Sequence, residues 1–304
     1  RHMVALRPRE VRDWPAIVEA GRLRMLTVSG PTTYFLWRGA VLGFEFELLE
    51  DFARSEGLAL EVVVAPDTAT LFRWLEEGRG DVVSASLNPT PQREARGVRF
   101  TNRYMEADET LVTGPVAING LERLAGTTIT VSRGASFLDS LEPLAAQWGF
   151  EVVTSSRNTE QLLADAADGA IEATVADSHM AALAARFDDR LRLGVRLGES
   201  RPVAWGVLAS NEALRRRLND FIQAGYRGLR YNLLRNKYFK NKRRMAKQRA
   251  HRVHSETLSP FDDLVKTHAQ TFGLDWRLIV AQMYQESGFD PTTRSFAGAR
   301  GLLQ

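Results

Sequence analysis

The stretch Asp81-Val82-Val83-Ser84-Ala85-Ser86-Leu87-Asn88-Pro89-Thr90-Pro91-Gln92-Arg93 decides the fold of this chain. Residues 81–84 read as a short buried strand, followed by a loop of hydroxyls, one amide, two prolines and an arginine. Polar side chains and backbone N–H groups gathered at the carboxyl end of a buried strand are where open α/β sheets hold ligands. Arg93, behind two stiffening prolines, is placed to grip an anionic group bidentately. Taken alone, it reads more readily as a solvated arginine at a helix start.

Working outward, residues 23–29 and 60–64 read as strands, and 44–55 and 70–77 as helices. Phe44, Leu48, Leu49 and Phe52 share one face of the first helix, and Gly78 ends the second. With the strand at 81–84 this is a β-α-β-α-β unit, which the handedness rule makes a parallel sheet. A second unit follows: strands at 127–131, 151–153 and 173–176 alternate with helices at 136–147, 161–168 and 178–186. Two α/β halves in tandem suggest two lobes facing a cleft, joined by extended apolar segments at 109–114 and 202–209 that suit paired crossover strands. From 212 to about 252 the pattern is helical, with Leu214, Leu218, Phe221 and Ile222 as an apolar stripe. Ser259-Pro260 opens a third region, with helical patterns at 261–272 and 275–285.

The 304 residues contain no cysteine, which excludes disulfides, thiolate zinc sites and cysteine nucleophiles. No run of 18 apolar residues occurs, so no segment reads as a membrane span. Arg1-His2-Met3 reads as a tag remnant, so a natural targeting or anchoring segment is expected to lie outside the sequence. The net charge of +3 is uneven: residues 221–255 carry eleven Lys and Arg and no acid, leaving the rest at −8. Nucleic acid or an anionic membrane surface would suit such a run. A solvent-exposed linker helix between domains is the preferred reading, and no nucleic-acid partner is expected. The expected organisation is an extension at 1–20, a two-lobed module at 21–230, a basic linker at 231–258 and the start of another domain at 259–304. Lobe 1 takes residues 21–110 and 205–230, and lobe 2 takes 111–204.

Gly43-Phe44-Glu45-Phe46-Glu47-Leu48, the Asp81 to Arg93 stretch and Phe100-Thr101-Asn102-Arg103-Tyr104 together resemble the polar-amino-acid solute-binding proteins of bacterial transport systems. The resemblance covers about two hundred residues and implies a two-lobed periplasmic-type α/β module of type II. It also implies that Arg93 clamps a ligand carboxylate, assisted by the hydroxyls of Ser86 and Ser136. Asp177 would receive the ligand ammonium and Tyr34 would cover its side chain. Asn88 stands where a serine is common. Asp177 also suits an N-cap, because a helical run follows it.

In the third region, Glu286 falls seven and eight residues beyond Ile279 and Leu278, on the same apolar side at a helix end. Leu278, Ile279 and Met283 are expected to face a core. Burial and the negative end of a helix both disfavour a charged carboxylate, the setting in which an acid keeps its proton for attack on a sugar bond. At a random helix end, a solvated glutamate is the ordinary alternative. Glu286-Ser287-Gly288-Phe289, with Pro291 and the run Gly298-Ala299-Arg300-Gly301-Leu302-Leu303-Gln304, resembles the catalytic core of lytic transglycosylases with a goose-lysozyme-like fold. Leu303 replaces the more usual methionine. The resemblance implies that Glu286 is the sole catalytic acid, that Ser287 orients substrate or acid, and that Gln304 lines the sugar cleft. Asp290 reads as a turn residue before Pro291.

One module of each kind in a chain resembles the membrane-bound lytic transglycosylase F family. That implies a peptidoglycan-cleaving lyase producing 1,6-anhydro-muramyl ends, regulated by an amino acid or muropeptide. It further implies the periplasm, association with the outer membrane through an N-terminal lipid anchor, and no cofactor or metal. The later part of such a catalytic domain is expected to be missing, and the fragment inactive. A solute-binding protein without catalysis and a water-using muramidase are the alternatives.

Overall fold

The computed structural model describes residues 9–30, 32–37, 40–239, 259, 261–287, 291–294 and 298–303. In chain order the elements are α1 (Trp14–Glu19), β1 (Arg22–Val28), β2 (Phe35–Trp37), β3 (Ala40–Leu42), α2 (Phe44–Ser55), β4 (Ala59–Ala65), α3 (Thr68–Glu76), β5 (Val82–Leu87) and α4 (Pro91–Ala95). Then come β6 (Val98–Phe100), β7 (Met105–Ala107), β8 (Glu109–Thr113), β9 (Thr128–Ser132), α5 (Phe137–Trp148), β10 (Glu151–Ser155), α6 (Thr159–Asp168), β11 (Ala173–Asp177) and α7 (Ser178–Phe187). The last are β12 (Arg192–Arg196), β13 (Arg201–Leu208), α8 (Glu212–Gly225), α9 (Leu229–Phe239), α10 (Asp262–Thr271) and α11 (Trp276–Ser287).

Two sheets form the two lobes. Lobe 1 has the order β4-β1-β5-β13-β6, with β1 parallel to both β4 and β5. Lobe 2 has the order β10-β9-β11-β8-β12, with β9 parallel to β10 and β11. Both parallel cores are those the handedness rule requires. Helices cover each sheet on both faces, which is why the central strands are continuously apolar. In lobe 1, Ile17, Phe44, Leu49 and Phe52 fill one side, and Leu71, Phe72 and Leu75 the other. In lobe 2, Phe137 and Leu141 fill one side, and Leu163, Ala166 and Ala181 the other.

The crossover differs from its expectation. β8 does not pair with the returning strand; it runs antiparallel to β11 and β12 inside lobe 2. β13 pairs with β7 at its start and with β5 and β6 further on. The chain therefore changes lobe between β7 and β8, and again near Arg201. The long helix expected from 212 is broken at Tyr226, where Arg227 adopts a φ of 59°. The second piece, α9, is part of lobe 1: Tyr231, Leu234 and Tyr238 are buried in its core. Tyr238 donates to Glu47 and accepts from Gly43 N at 3.0 Å, while Lys237 also pairs with Glu47. Those tyrosines are packing residues rather than part of an exposed basic face. The remainder of the basic segment lies outside the described residues.

Candidate ligand cleft and catalytic acid

Local chemistry sets the 81–93 stretch in place. Asp81, wholly buried, accepts from Arg24 N at 2.8 Å, from Arg24 Nη2 at 2.7 Å and from Arg12 Nη2 at 2.6 Å, which fixes the start of β5. At the other end, Thr90 Oγ1 accepts from Arg93 N at 3.3 Å and begins α4. Between them Ser86 is held at a φ of 53°, a strained value for a residue with a Cβ. Glu45 holds it there. This carboxylate of α2 is fully buried and accepts from Ser86 Oγ (2.9 Å) and N (3.2 Å), Ser84 Oγ (2.7 Å), Tyr104 Oη (2.5 Å) and Trp205 Nε1 (3.1 Å). The hydroxyl proton of Ser86 is thus committed to Glu45.

Arg93 is 7% exposed and spans the cleft. Its Nη1 donates to Asn88 O at 2.6 Å, its Nη2 donates to Gly134 O of lobe 2 at 3.2 Å, and its guanidinium lies 5.0 Å from the Phe72 ring centre. Burial draws its pKa down to about 10, against the pull of Asp139 and Asp177, so it stays cationic at neutral pH. Asn88 Oδ1 accepts from Ser136 Oγ of lobe 2 at 3.0 Å, and its Nδ2 donates to Pro202 O at 3.0 Å. Gly134 also meets lobe 1: a Cβ there would lie 3.2 Å from that of Ala69, so a glycine lets the lobes close.

Asp177, at the end of β11, is 5% exposed and occupies the N-cap position of α7, with no capping hydrogen bond from its side chain. Its Oδ1 receives no hydrogen bond from any described group. Burial, reinforced by the charge of Glu109, pushes its pKa up to about 7, while Arg93 and Arg201 oppose the shift. Tyr34 is half-buried, edge-on to Phe46 with ring centres 5.7 Å apart. Burial raises its pKa, and the phenol of Tyr284 on α11 adds to the rise, which puts the third region within electrostatic reach of Tyr34. Of the six residues expected at the cleft, Arg93, Asn88 and Ser136 form one hydrogen-bonded group across the lobes. Asp177 is coupled to Arg93 by charge, Ser86 is tied back to Glu45, and Tyr34 packs on Phe46.

Sequence reading missed Glu45, Glu109 and Arg201. Glu45 stands three, four and seven residues before Leu48, Leu49 and Phe52, on the apolar face of α2, and that spacing was the available signal. Glu109 alternates with Leu111 and Thr113 on the buried face of β8. Arg201 follows a turn and gave no signal.

In the third region α10 and α11 pack around Val265, Val280 and Met283, with Phe261, Trp276, Ile279 and Leu302 beside them. Glu286 is not buried: it is exposed, as is Leu278 at 70%. The expected apolar seat is absent because two helices and one turn bury only a small cluster, and that cluster lies on the Val280–Met283 side of α11. Ser287 Oγ lies within hydrogen-bond reach of Met283 O (2.9 Å) and Leu302 O (3.1 Å). It ties the helix end beside Glu286 to the Gly301–Leu303 segment, a positioning role rather than a direct contact with Glu286. Gly301 N donates to Thr293 O at 3.1 Å, and Arg294 bridges Arg300 in antiparallel fashion, folding this segment back. Gln304 and Asp290 lie outside the described residues.

With this geometry in place, comparison with known proteins supplies the family. Residues 23–241 match the bacterial extracellular solute-binding proteins, family 3. The chain belongs to that family. Residues 263–304 match the Transglycosylase SLT domain. Relatives include a membrane-bound lytic murein transglycosylase F of Desulfosudis oleivorans, 30% identical over 95% of this chain and 64% of the relative. Another, from Aeromonas hydrophila and bearing the same name, is 31% identical over 94% of this chain and 59% of its own length. The chain thus spans about three fifths of these relatives. Among solved structures, an ancestral arginine-binding protein bound to arginine superposes with a TM-score of 0.65 at 23% identity, over 72% of this chain and 98% of its own. An amino acid ABC transporter substrate-binding protein from Streptococcus pneumoniae, bound to L-arginine, gives 0.66 at 16% identity, over 75% and 98%. These likenesses establish the two-lobed type II fold of the solute-binding module.

Proposed function

We propose that this chain is the sensing module, with the beginning of the catalytic domain, of a peptidoglycan lytic transglycosylase. The observation that carries this reading is a solute-binding module and a transglycosylase match in one chain, in the same order as in lytic murein transglycosylases aligned along 94–95% of it. In the reaction Glu286 donates its proton to the glycosidic oxygen between N-acetylmuramic acid and N-acetylglucosamine, and the C1–O bond breaks. The carboxylate then takes the proton of the muramyl C6 hydroxyl as that oxygen bonds to C1, giving the 1,6-anhydro ring and regenerating the acid. No water enters, so one carboxylate serves where hydrolytic glycosidases use two. Ser287 positions Glu286 by anchoring the helix end to Leu302 O, and Gln304 lines the sugar cleft.

The two-lobed module takes an amino acid or muropeptide, with Arg93 on its carboxylate, Asp177 on its ammonium, Tyr34 over its side chain, and Asn88, Ser86 and Ser136 shaping the walls. The module runs from 21 through α9 to 239, because Tyr231, Leu234 and Tyr238 pack in the core of lobe 1, and a basic linker then leads to the catalytic start at 259. The setting is the periplasm at the outer membrane, in keeping with relatives named membrane-bound. No described helix is long and apolar enough to cross a membrane.

Digestion of purified peptidoglycan by the whole protein, read by mass spectrometry, tests this. Anhydro-muropeptides, one water lighter than hydrolytic products, are expected, and Glu286→Gln lowers their rate at least about a thousandfold. Reducing-end muramic acid in the products would replace the reading with a hydrolase.

A further inference from the structure

Lobe 2 holds a second buried carboxylate beside Asp177. Glu109, 1% exposed, opens β8, and Asp177, 5% exposed, ends β11. The two strands run antiparallel with Glu109 directly opposite Asp177, so both side chains leave the same face of the lobe 2 sheet. Asp177 Oδ1 receives no hydrogen bond from any described group, and Glu109 has no well-aligned donor, only the pull of the Ser140 hydroxyl and of Arg201. Arg201 balances the charge of Glu109, with its Nε 3.2 Å from Oε1 but off the hydrogen-bonding direction, while its Nη2 donates to Ser140 Oγ at 2.5 Å. A buried carboxylate in want of donors is costly and is retained where a ligand supplies them.

We infer that Glu109 and Asp177 together form one receptor for an unsubstituted primary ammonium, and that Glu109 determines which ligands the cleft accepts. Two adjacent carboxylates suit a charged –NH3+ with its three N–H bonds, a match that a secondary amide nitrogen, with one N–H and no charge, does not make. Arg93 lies in the same cleft, coupled by charge to Asp177, and takes the ligand carboxylate. The ligand class is therefore an α-amino acid or a free peptide with an open N-terminus. A stem peptide still joined to muramic acid, whose N-terminus is an amide, is excluded. This rests on the proposed reading of the cleft as a ligand site and narrows it. On burial grounds both carboxylates are shifted toward their protonated forms, as expected of a receptor without its cation.

Isothermal titration of the chain tests the receptor with matched probes: the common L-amino acids and their N-acetyl forms, and a free stem tetrapeptide against its muramyl-linked counterpart. The receptor predicts binding of open-amine members and loss of about 100-fold or more on acylation. Glu109→Gln weakens open-amine binding about 10- to 100-fold, and Glu109→Asp recovers part of the loss. The melting temperature of each unliganded variant separates this effect from disruption of the Arg201 pair. Equal binding of acylated and open forms, or wild-type affinity in folded Glu109→Gln, overturns the receptor while leaving the cleft a ligand site. Binding of no probe overturns both.

Discussion

Glu45 in lobe 1 and the Glu109–Asp177 pair in lobe 2 are buried carboxylates on opposite sides of one cleft, and they are treated in opposite ways. Glu45 receives five hydrogen bonds from four side chains and one backbone amide of its own lobe. In the lobe 2 pair, Asp177 Oδ1 receives none from any described group, and Glu109 is held only by Arg201 at 3.2 Å and by the Ser140 hydroxyl. A saturated carboxylate has its field already answered and serves as architecture; it holds Ser86 in its strained conformation and ties α2 to β5 and β13. An unsaturated one stores unfavourable energy that a bound cation relieves. On the proposed reading, lobe 1 supplies a rigid wall and lobe 2 the charge that a ligand answers.

The widest break in this symmetry comes from truncation. Glu45→Ala leaves two serines, a tyrosine and an indole without their acceptor in the core. It should cost about 4 kcal/mol in denaturant unfolding, enough to threaten folding. Asp177→Asn removes a charge that has no aligned donor on Oδ1 and should raise stability at pH 8 by about 1 kcal/mol or more. A loss at Asp177 comparable to that at Glu45 would erase the distinction between the lobes.

A smaller effect appears in the pH dependence of stability, where two buried groups oppose each other. Asp177 has its pKa raised from the ordinary carboxyl value to about 7, so the folded state holds the extra proton and stability falls as pH rises from about 4 to 7. His179 on α7 is buried against Phe239, and burial, with help from Arg235, lowers its pKa to about 4. The unfolded chain therefore binds the extra proton, and stability is lost as pH falls from about 6.5 towards 4. Asp177 is worth about 4 kcal/mol and His179 about 3 kcal/mol across their windows, so the wild type should show a shallow profile. Thermal melts of Asp177→Asn should then show stability rising with pH from 4 to 6.5, and melts of His179→Phe should show it falling. Parallel profiles in both variants would mean that neither group is buried as described.

The sequence made the parallel cores legible because continuous apolar strands alternate with amphipathic helices. Leu48, Leu49 and Phe52 lie where the period placed them. Arg93 drew attention because it follows the polar loop after a buried strand, and Asp177 only through the family resemblance. Glu45 was passed over because an acid in the first helical turn ordinarily faces water. Glu109 was passed over because its partner is 68 positions away and only strand pairing brings the two together. The error at Glu286 has a related cause: the 3.6-residue period fixes which residues share a face but not which face a neighbour covers. Leu278 and Glu286 fall on the uncovered one. The break at Tyr226 was hidden because basic and apolar residues continue through it in helical rhythm.

The claim that lobe 2 waits for an ammonium is tested most directly by counting protons on binding. The tightest-binding amino acid of the panel is titrated at pH 7 in buffers of different ionisation enthalpy. Because burial pushes the Asp177 pKa up to about 7, seating an already charged ammonium on it should release protons, and Asp177→Asn should reduce the release. Binding with no proton release, or with uptake, would contradict the account.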